Sequence, residues 1–349
     1  MAAATRRSAS RRRARDSVAA PGGFGYTGTM VMSEAARRRV DYLRLSITDR
    51  CNLRCTYCMP AEGVCARGHD DILRFEEIVA FARVAVTCGI GKVRITGGEP
   101  LVRAGCPELV GLLAALPGVH DLSLTTNGVL LPRYAAELHA AGLRRVNVSL
   151  DSLDPARFAA VTRGGRLDDA LAGLEAAFAA GFDPVKLNVL LLEGVEDELD
   201  AYVRLTLERP LHVRFIEFMP LDRRLVLEGR MVPAPLVLER LRARHGLEPV
   251  GGPYGHGPAR YWAVPGAPGT IGFIAALSDH FCGSCNRLRL TADGRLRTCL
   301  FSGEEVEVRP LLADEERLRA AVLEALAGKS YDRCREALAN ERAMSQIGG

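Results

Sequence analysis

No stretch of this chain stays apolar for the roughly 18 residues that a membrane-spanning helix requires, and no apolar core of a secretory signal follows its arginine-rich start. The chain therefore reads as soluble and cytoplasmic, with no membrane partner. A basic excess is also missing once the N-terminus is set aside. The formal charge is +4, but residues 1–16 hold six arginines against the single acid Asp16, which leaves the other residues at −1. That argues against a nucleic-acid footprint spread over a folded domain. Residues 1–40 lack hydrophobic periodicity and are expected to be disordered. An arginine- and serine-rich, acid-poor start also suits an organelle transit peptide, or a start codon placed upstream of Met30 or Met32.

The most telling absence is one cysteine. In CNLRCTYC, residues 51–58, Cys51, Cys55 and Cys58 stand at C-x3-C-x2-C spacing. A four-iron cluster and a structural zinc both normally take four protein ligands. Three thiolates with inorganic sulfide leave one iron without a protein ligand, free to chelate a small molecule. The plain alternative is a four-ligand structural site completed by Cys65. A second group, Cys282-x2-Cys285-x13-Cys299, is again three. Asp293-Gly294 reads as a hairpin turn that returns Cys299 beside the CxxC knuckle. A zinc knuckle completed by His280, Cys334 or another residue is the alternative there. Such clusters in a reducing cytosol read as metal sites rather than disulfides. Of the other cysteines, Cys65, Cys88, Cys106 and Cys334, most are expected to be buried small hydrophobes.

With 349 residues, 48% hydrophobic and 25% charged, the chain can bury a large core. Short β-rich runs recur at 42–48, 92–96, 121–126, 144–150, 184–192 and 212–218. Helical segments lie between them, the clearest at 167–181 with Leu167, Leu171, Leu174 and Phe178 on one face. This α/β alternation predicts a partial (β/α)6 TIM-like barrel over residues 41–245. Gly/Pro-rich turns at 251–258 and 265–270 then introduce a smaller α+β unit over 246–349, which carries the second cysteine group. Cys51 directly follows the first strand, on the face where barrels carry their chemistry.

Strands of a parallel barrel should be almost wholly apolar, yet these carry Arg44, Lys92, Arg94, Lys186 and Arg214. Arg287 and Arg289 share one face of the later hairpin. If these side chains turn inward they form a cationic pocket, too costly to keep without an anion. Guanidinium forks suit phosphate oxygens, so a polyanionic small substrate follows from charge placement.

C-x3-C-x2-C with an aromatic, Tyr57, before the third cysteine resembles the signature of radical S-adenosylmethionine (SAM) enzymes. TGGEP, 96–100, resembles that family's SAM-amino-group motif, its glycines letting backbone approach the ligand closely. CGSCNRLRLTADGRLRTCL (282–300) and the terminal MSQIGG, with the strand motifs between, resemble the GTP 3′,8-cyclases of molybdenum cofactor biosynthesis over about residues 41–349. The resemblance implies two [4Fe-4S] clusters, on Cys51, Cys55 and Cys58 and on Cys282, Cys285 and Cys299. It implies SAM contacts at Tyr57, Gly98, Ser149 and Met219. It implies GTP contacts at Arg44, Lys92, Arg94, Thr125, Lys186, Arg214, Arg287, Leu288 and Arg289. Gly348 and Gly349 would form a tail reaching into the active site. The implied activity is that of a radical SAM lyase converting GTP to (8S)-3′,8-cyclo-7,8-dihydroguanosine 5′-triphosphate. An electron donor of flavodoxin or ferredoxin type, hand-off to cyclic pyranopterin monophosphate synthase and a homodimer come with it. The alternatives are a two-cluster radical SAM enzyme that modifies a peptide, and a non-catalytic zinc protein with an RNA-binding ribbon.

Overall fold

Polar and apolar residues alternate along most of each barrel strand, and the alternation decides the architecture. In the first strand Leu43 and Leu45 are fully buried in the apolar core, while Tyr42, Arg44 and Ser46 turn to the opposite face. Every later strand of the barrel repeats the pattern. The computed structural model describes residues 40–65, 67–221, 231–253, 257–330 and 342–348. The N-terminal extension, Cys334, Gly349 and most of the run before the tail therefore lie outside the described residues.

The described elements run β1 (Tyr42–Ser46), α1 (Phe75–Thr87), β2 (Lys92–Thr96), α2 (Cys106–Ala114), β3 (Asp121–Thr126), α3 (Leu131–Ala140), β4 (Arg145–Ser149), α4 (Pro155–Thr162), α5 (Leu167–Ala179), β5 (Val185–Leu190), α6 (Leu199–Glu208), β6 (Leu211–Ile216) and α7 (Ala234–His245). They continue with β7 (Glu248–Val250), β8 (Arg260–Ala263), β9 (Thr270–Ile274), β10 (Arg287–Leu290), β11 (Arg295–Arg297), β12 (Val306–Glu307), α8 (Glu315–Ala327) and α9 (Met344–Ile347). β1 to β6 pair in chain order, all parallel, as expected of a barrel whose crossovers are helices. The two strands β9 and β10 extend this sheet in parallel at its two ends, β9 beside β6 and β10 beside β1. Antiparallel partners then finish both edges, β8 and β7 on one side, β11 and β12 on the other. The change in composition near residue 245 thus marks where pairing turns from parallel to mixed. One apolar core runs through both parts, joining Leu43 and Ile95 to Leu288, Leu290, Leu296 and Val322.

The outward apolar stripes meet helices on one side only. Phe81, Leu109, Leu138, Leu174 and Val203, one from each of α1, α2, α3, α5 and α6, all belong to that core. Local signals set several helix ends. Pro155 opens α4 and the Asp154 carboxylate accepts from the Arg157 N–H at 2.7 Å. The hairpin between β10 and β11 turns at Asp293-Gly294, with Gly294 at φ +79°.

α5 lies against the loop that follows β3. A Cβ on Gly173 would stand 2.9 Å from the Gly128 Cα and nearer still to that residue's carbonyl. Backbone cannot yield there as a flexible side chain would. Gly173→Ala is therefore expected to lower stability by about 1–3 kcal/mol, the usual size of overpacking, despite alanine's better helix propensity. Denaturant unfolding of the two proteins checks this, and an unchanged or higher midpoint would show that the helix shifts freely.

Candidate active site

The loop after β1 carries Cys51, Cys55 and Cys58 across the C-terminal rim of the parallel strands, and neighbouring segments hold it there. The Arg54 and Thr56 N–H groups donate to the Thr162 and Val161 carbonyls at the end of α4, at 3.1 and 2.9 Å. Arg163, in the left-handed region at φ +54°, sends its guanidinium back to the Arg54 and Met59 carbonyls at 3.1 and 2.8 Å. Between the last two cysteines, the Tyr57 hydroxyl donates to Asp151 Oδ2 at 2.5 Å, and the Leu190 N–H donates to the other oxygen at 2.8 Å. Asp151 therefore joins the cysteine loop to the ends of both β4 and β5. Burial raises its carboxyl above the ordinary range, against the pull of these two hydrogen bonds.

The glycines of the 96–100 turn serve this same loop. A Cβ on Gly97 would lie 2.7 Å from the Thr48 carbonyl oxygen, and one on Gly98 would lie 2.7 Å from the Arg50 carbonyl carbon. The close approach that requires glycine here is thus backbone to backbone. The Gly98 and Glu99 N–H groups bond the Thr48 and Arg50 carbonyls, each at 2.8 Å. Glu99 is buried and its carboxylate accepts from Thr126 Oγ1 at 2.8 Å and from the Asn127 and Leu101 N–H groups at 2.7 and 3.1 Å. Burial lifts it to about 7 even so. It is a tie between β2 and β3 that the motif alone did not assign.

The thiols show what the rim can hold. Burial pushes Cys58 up to about 12 and Cys55 well above an ordinary thiol. Without a cation they would stay protonated; a bound iron would keep them as thiolates. Donors already face the sulfurs. The Leu53 N–H reaches Cys51 Sγ at 3.4 Å, Asn127 Nδ2 reaches it at 3.9 Å, and the Ser345 N–H reaches Cys58 from α9. Among the described residues no three His, Cys, Asp or Glu side chains stand close enough to grip a single ion. A cubane takes one thiolate per iron and so spreads its ligands wider. The donor set fits such a cluster. Cys65 is exposed on the loop beyond it, and of the scattered cysteines among the described residues only Cys106 is fully buried.

Below the rim the inward stripes enclose a cavity of about 190 Å³, lined by Arg44, Arg94, Arg214 and Arg287 together with Tyr57, Thr125, Ser149, Asp151 and Met219. The inward turn expected of the strand arginines is therefore present. Arg94 Nε donates to Ser123 Oγ at 3.2 Å, and Arg214 Nη2 reaches the Asn147 and Asn188 side-chain oxygens, both at 2.6 Å. These partners are neutral, so they orient the guanidinium groups without cancelling their charge. Burial, with other arginines nearby, lowers Arg94 to about 10 and Arg44 well below its usual value. Thr125 Oγ1 is buried and has no hydrogen-bond partner among the described residues.

A second cavity of about 50 Å³ adjoins the first and shares Met219, Phe281 and Arg287 with it. Cys282, Cys285, Cys299 and Arg289 complete its wall, so the hairpin does bring the second cysteine group together. Burial pushes Cys285 up, but Arg287, Lys329 and Arg289 outweigh it and leave this thiol lower than usual. A second cluster is therefore accommodated. His280 lines a separate groove with Trp262 and Arg260 and is not part of the cysteine cavity's wall.

Three expected substrate contacts stand elsewhere. Lys92 is buried against Asp41, with Nζ 2.6 Å from Oδ2, and does not line the cavity. Lys186 sits behind the wall, and burial together with Arg214, Arg145 and Arg94 lowers it to about 6. Leu288 faces the opposite side of β10 from Arg287 and Arg289, in the apolar core, so only its backbone is near the site.

A parallel sheet that bears three cysteines on a rim loop is the arrangement of the radical SAM enzymes, and residues 45–205 match the model of the radical SAM superfamily. Crystal structures of Streptococcus suis SuiB share the fold. The one bound to S-adenosylmethionine superposes at a TM-score of 0.57 with 15% identity, covering 82% of this chain and 68% of that one. Residues 211–333 match the model named Molybdenum Cofactor Synthesis C. A GTP 3′,8-cyclase of Pelotomaculum thermopropionicum is 49% identical over 325 residues, 91% of this chain and all of that one. Another from Geobacter sulfurreducens is 50% identical over 284 residues, 81% of this chain and 87% of that one. The chain belongs to the GTP 3′,8-cyclase family.

Lys186 gives a pH prediction. With its unliganded value near 6 it is mostly neutral at pH 7.5, below the charge state a free lysine would have. A polyanion in the cavity favours the charged form and raises that value, so binding takes up a proton. Calorimetry at pH 7.5 in two buffers of different ionisation enthalpy should show uptake approaching one proton, and Lys186→Met should abolish it. A buffer-independent enthalpy in the wild type would contradict the assignment.

Proposed function

We propose that this protein is a radical SAM GTP 3′,8-cyclase that forms (8S)-3′,8-cyclo-7,8-dihydroguanosine 5′-triphosphate at the start of molybdopterin biosynthesis. The observation that carries this reading is one arginine-lined cavity that reaches Tyr57 of the first cysteine loop and adjoins the pocket walled by the second cysteine group. The family's cofactors are two [4Fe-4S] clusters and SAM. When bound, they supply a one-electron cleavage that makes a carbon radical able to remove the ribose C3′ hydrogen, after which C3′ bonds to C8 of guanine.

The chain's own residues then have separate tasks. Cys51, Cys55 and Cys58 would hold the first cluster, and Cys282, Cys285 and Cys299 the second. Arg44, Arg94, Arg214 and Arg287, from four strands, would bind the triphosphate from several directions, which fixes the ribose relative to the rim. Ser149 and Met219 sit on the cavity wall where SAM would extend from the rim. Tyr57, held by Asp151, keeps the cysteine loop from moving as the cavity fills. Gly98 acts through the Thr48–Arg50 backbone that it packs against. Phe218, packed edge-on to Tyr57 with ring centroids 6.5 Å apart, and Phe281 help keep water out.

The same reading includes a flavodoxin- or ferredoxin-type donor for the two electrons each turnover consumes, one to cleave SAM and one, with a proton, to quench the cyclised radical, and hand-off of the product to cyclic pyranopterin monophosphate synthase. It also places the enzyme in the cytoplasm as a homodimer. No helix among the described residues is long and apolar enough to cross a membrane. A peptide-modifying enzyme would have no use for arginines on four strands around one cavity.

Anaerobic incubation of reconstituted protein with SAM, dithionite and GTP should give a nucleotide of unchanged mass whose C3′–C8 bond is shown by NMR. Cys282→Ala should lose about four irons per chain, keep reductive SAM cleavage and lose cyclisation. Loss of SAM cleavage as well would show that the two cysteine sites do not work separately.

A further inference from the structure

One buried polar atom of the main cavity that the reading above leaves unused is the hydroxyl of Tyr42. Tyr42 opens β1, turns inward on the same face as Arg44, and is only 6% exposed, yet it lines the cavity. Its hydroxyl oxygen is buried with no hydrogen-bond partner among the described residues. The groups around it make this arrangement informative. The Arg94 guanidinium lies over the ring, 5.4 Å from its centroid. Arg287 stands directly opposite on β10, and Lys92, engaged with Asp41, directly opposite on β2. Each of these cations donates hydrogen bonds and none accepts one, and the phenol proton has no acceptor among the described residues.

If packing alone chose this residue, phenylalanine would fill the space without burying an unsatisfied donor. The acceptor is then something that enters the cavity and suits a ring of guanidinium groups. Accordingly, we infer that Tyr42 is a substrate-contacting residue whose hydroxyl donates to a phosphate oxygen of the bound nucleoside triphosphate. This rests on the nucleotide reading above and adds to it a neutral donor among cations. An arginine at this place would add a further charge to an already repulsive group. A phenol adds a short, directional hydrogen bond without that repulsion.

The test is Tyr42→Phe in the full-length, anaerobically reconstituted protein, with binding of GTP and of inorganic tripolyphosphate measured by calorimetry. The variant removes one oxygen and keeps the ring under Arg94. Loss of a hydrogen bond to a charged acceptor should weaken both ligands by about tenfold or more. The unliganded variant should melt no lower than the wild type, because an unsatisfied buried group has been removed. A structural role predicts the opposite pair, a lower melting temperature with unchanged affinity, and would overturn the inference. So would a loss seen with GTP but not with tripolyphosphate, which would place the hydroxyl against the nucleoside. Failure of the wild type itself to bind GTP would remove the nucleotide reading and this inference with it.

Discussion

Mutual repulsion among buried guanidinium groups is the constraint from which the rest of this structure follows. Arg44, Arg94, Arg214 and Arg287 face one cavity, and Arg289 faces the next. Water is largely excluded, so each charge loses solvation and feels its neighbours strongly. The described hydrogen bonds of Arg94, Arg214 and Arg289 go to a serine, two asparagines and a backbone carbonyl, all neutral. Carboxylates are nearby but are used elsewhere: Asp41 on Lys92, Asp121 on Arg145, Glu99 on the β3 loop. The fold thus gives Arg94, Arg214 and Arg289 neutral hydrogen-bond partners and places carboxylates on Lys92 and Arg145. That is a poor way to build a stable barrel and a good way to bind a polyanion. The apolar cost is met on the other face of the same strands, where Leu43, Leu45, Val93 and Ile95 are buried under helices.

The rim obeys a different constraint, since a cluster needs its thiolates preset in place. The cysteine loop has little regular structure of its own and takes its shape from its surroundings. Its carbonyls are clamped by Arg163, its tyrosine by Asp151, and its first residues by the 97–99 backbone. These supports come from β2, α4 and β4, which the parallel order already fixes relative to one another. Placing a reactive loop on the ends of rigid strands gives precision that a longer free loop could not.

Some of this was legible from residues alone. Inward cations in β1, β2, β5 and β6 were visible because charge in a parallel strand violates its expected apolar character, and the Asp293-Gly294 turn announced the hairpin. Strand limits at 92–96 and 121–126 match the residues that form β2 and β3. What stayed hidden involves partners far apart in the chain. Tyr57 and Asp151 are 94 positions apart, and Glu99 and Thr126 are 27 apart. Lys92 looked equivalent to Arg94 two residues on, but its place at the start of β2 brings it to Asp41, which precedes β1. The glycines at 97 and 98 resembled a ligand cradle, while the nearest atoms to their missing side chains are those of the neighbouring chain segment. Leu288, between two site arginines on a strand, must point its side chain away from them, so any part it has in the site is through its backbone.

The cavity reaches Tyr57 of the first cysteine loop and adjoins the second cysteine group, and Asp293 connects segments that lead to both. Asp293, at the hairpin turn below Cys285 and Cys299, accepts both guanidinium nitrogens of Arg342 at 3.0 and 3.1 Å and Arg67 at 2.9 Å. Arg67 belongs to the loop that continues from Cys58, and Arg342 begins the C-terminal segment. Burial disfavours the Asp293 charge, but Arg342, Thr291 and Arg67 outweigh it and hold the carboxyl low. From that anchor α9 carries the Ser345 N–H to Cys58 and the Gly348 carbonyl to Arg289, 2.8 Å away. Gly348 has φ +81°, and a Cβ there would stand 2.5 Å from Thr96 Oγ1 and 2.9 Å from Ser46 Cβ. Only glycine can lie this close against the ends of β1 and β2. The tail therefore touches a ligand of the first site with one residue and an arginine of the second with another.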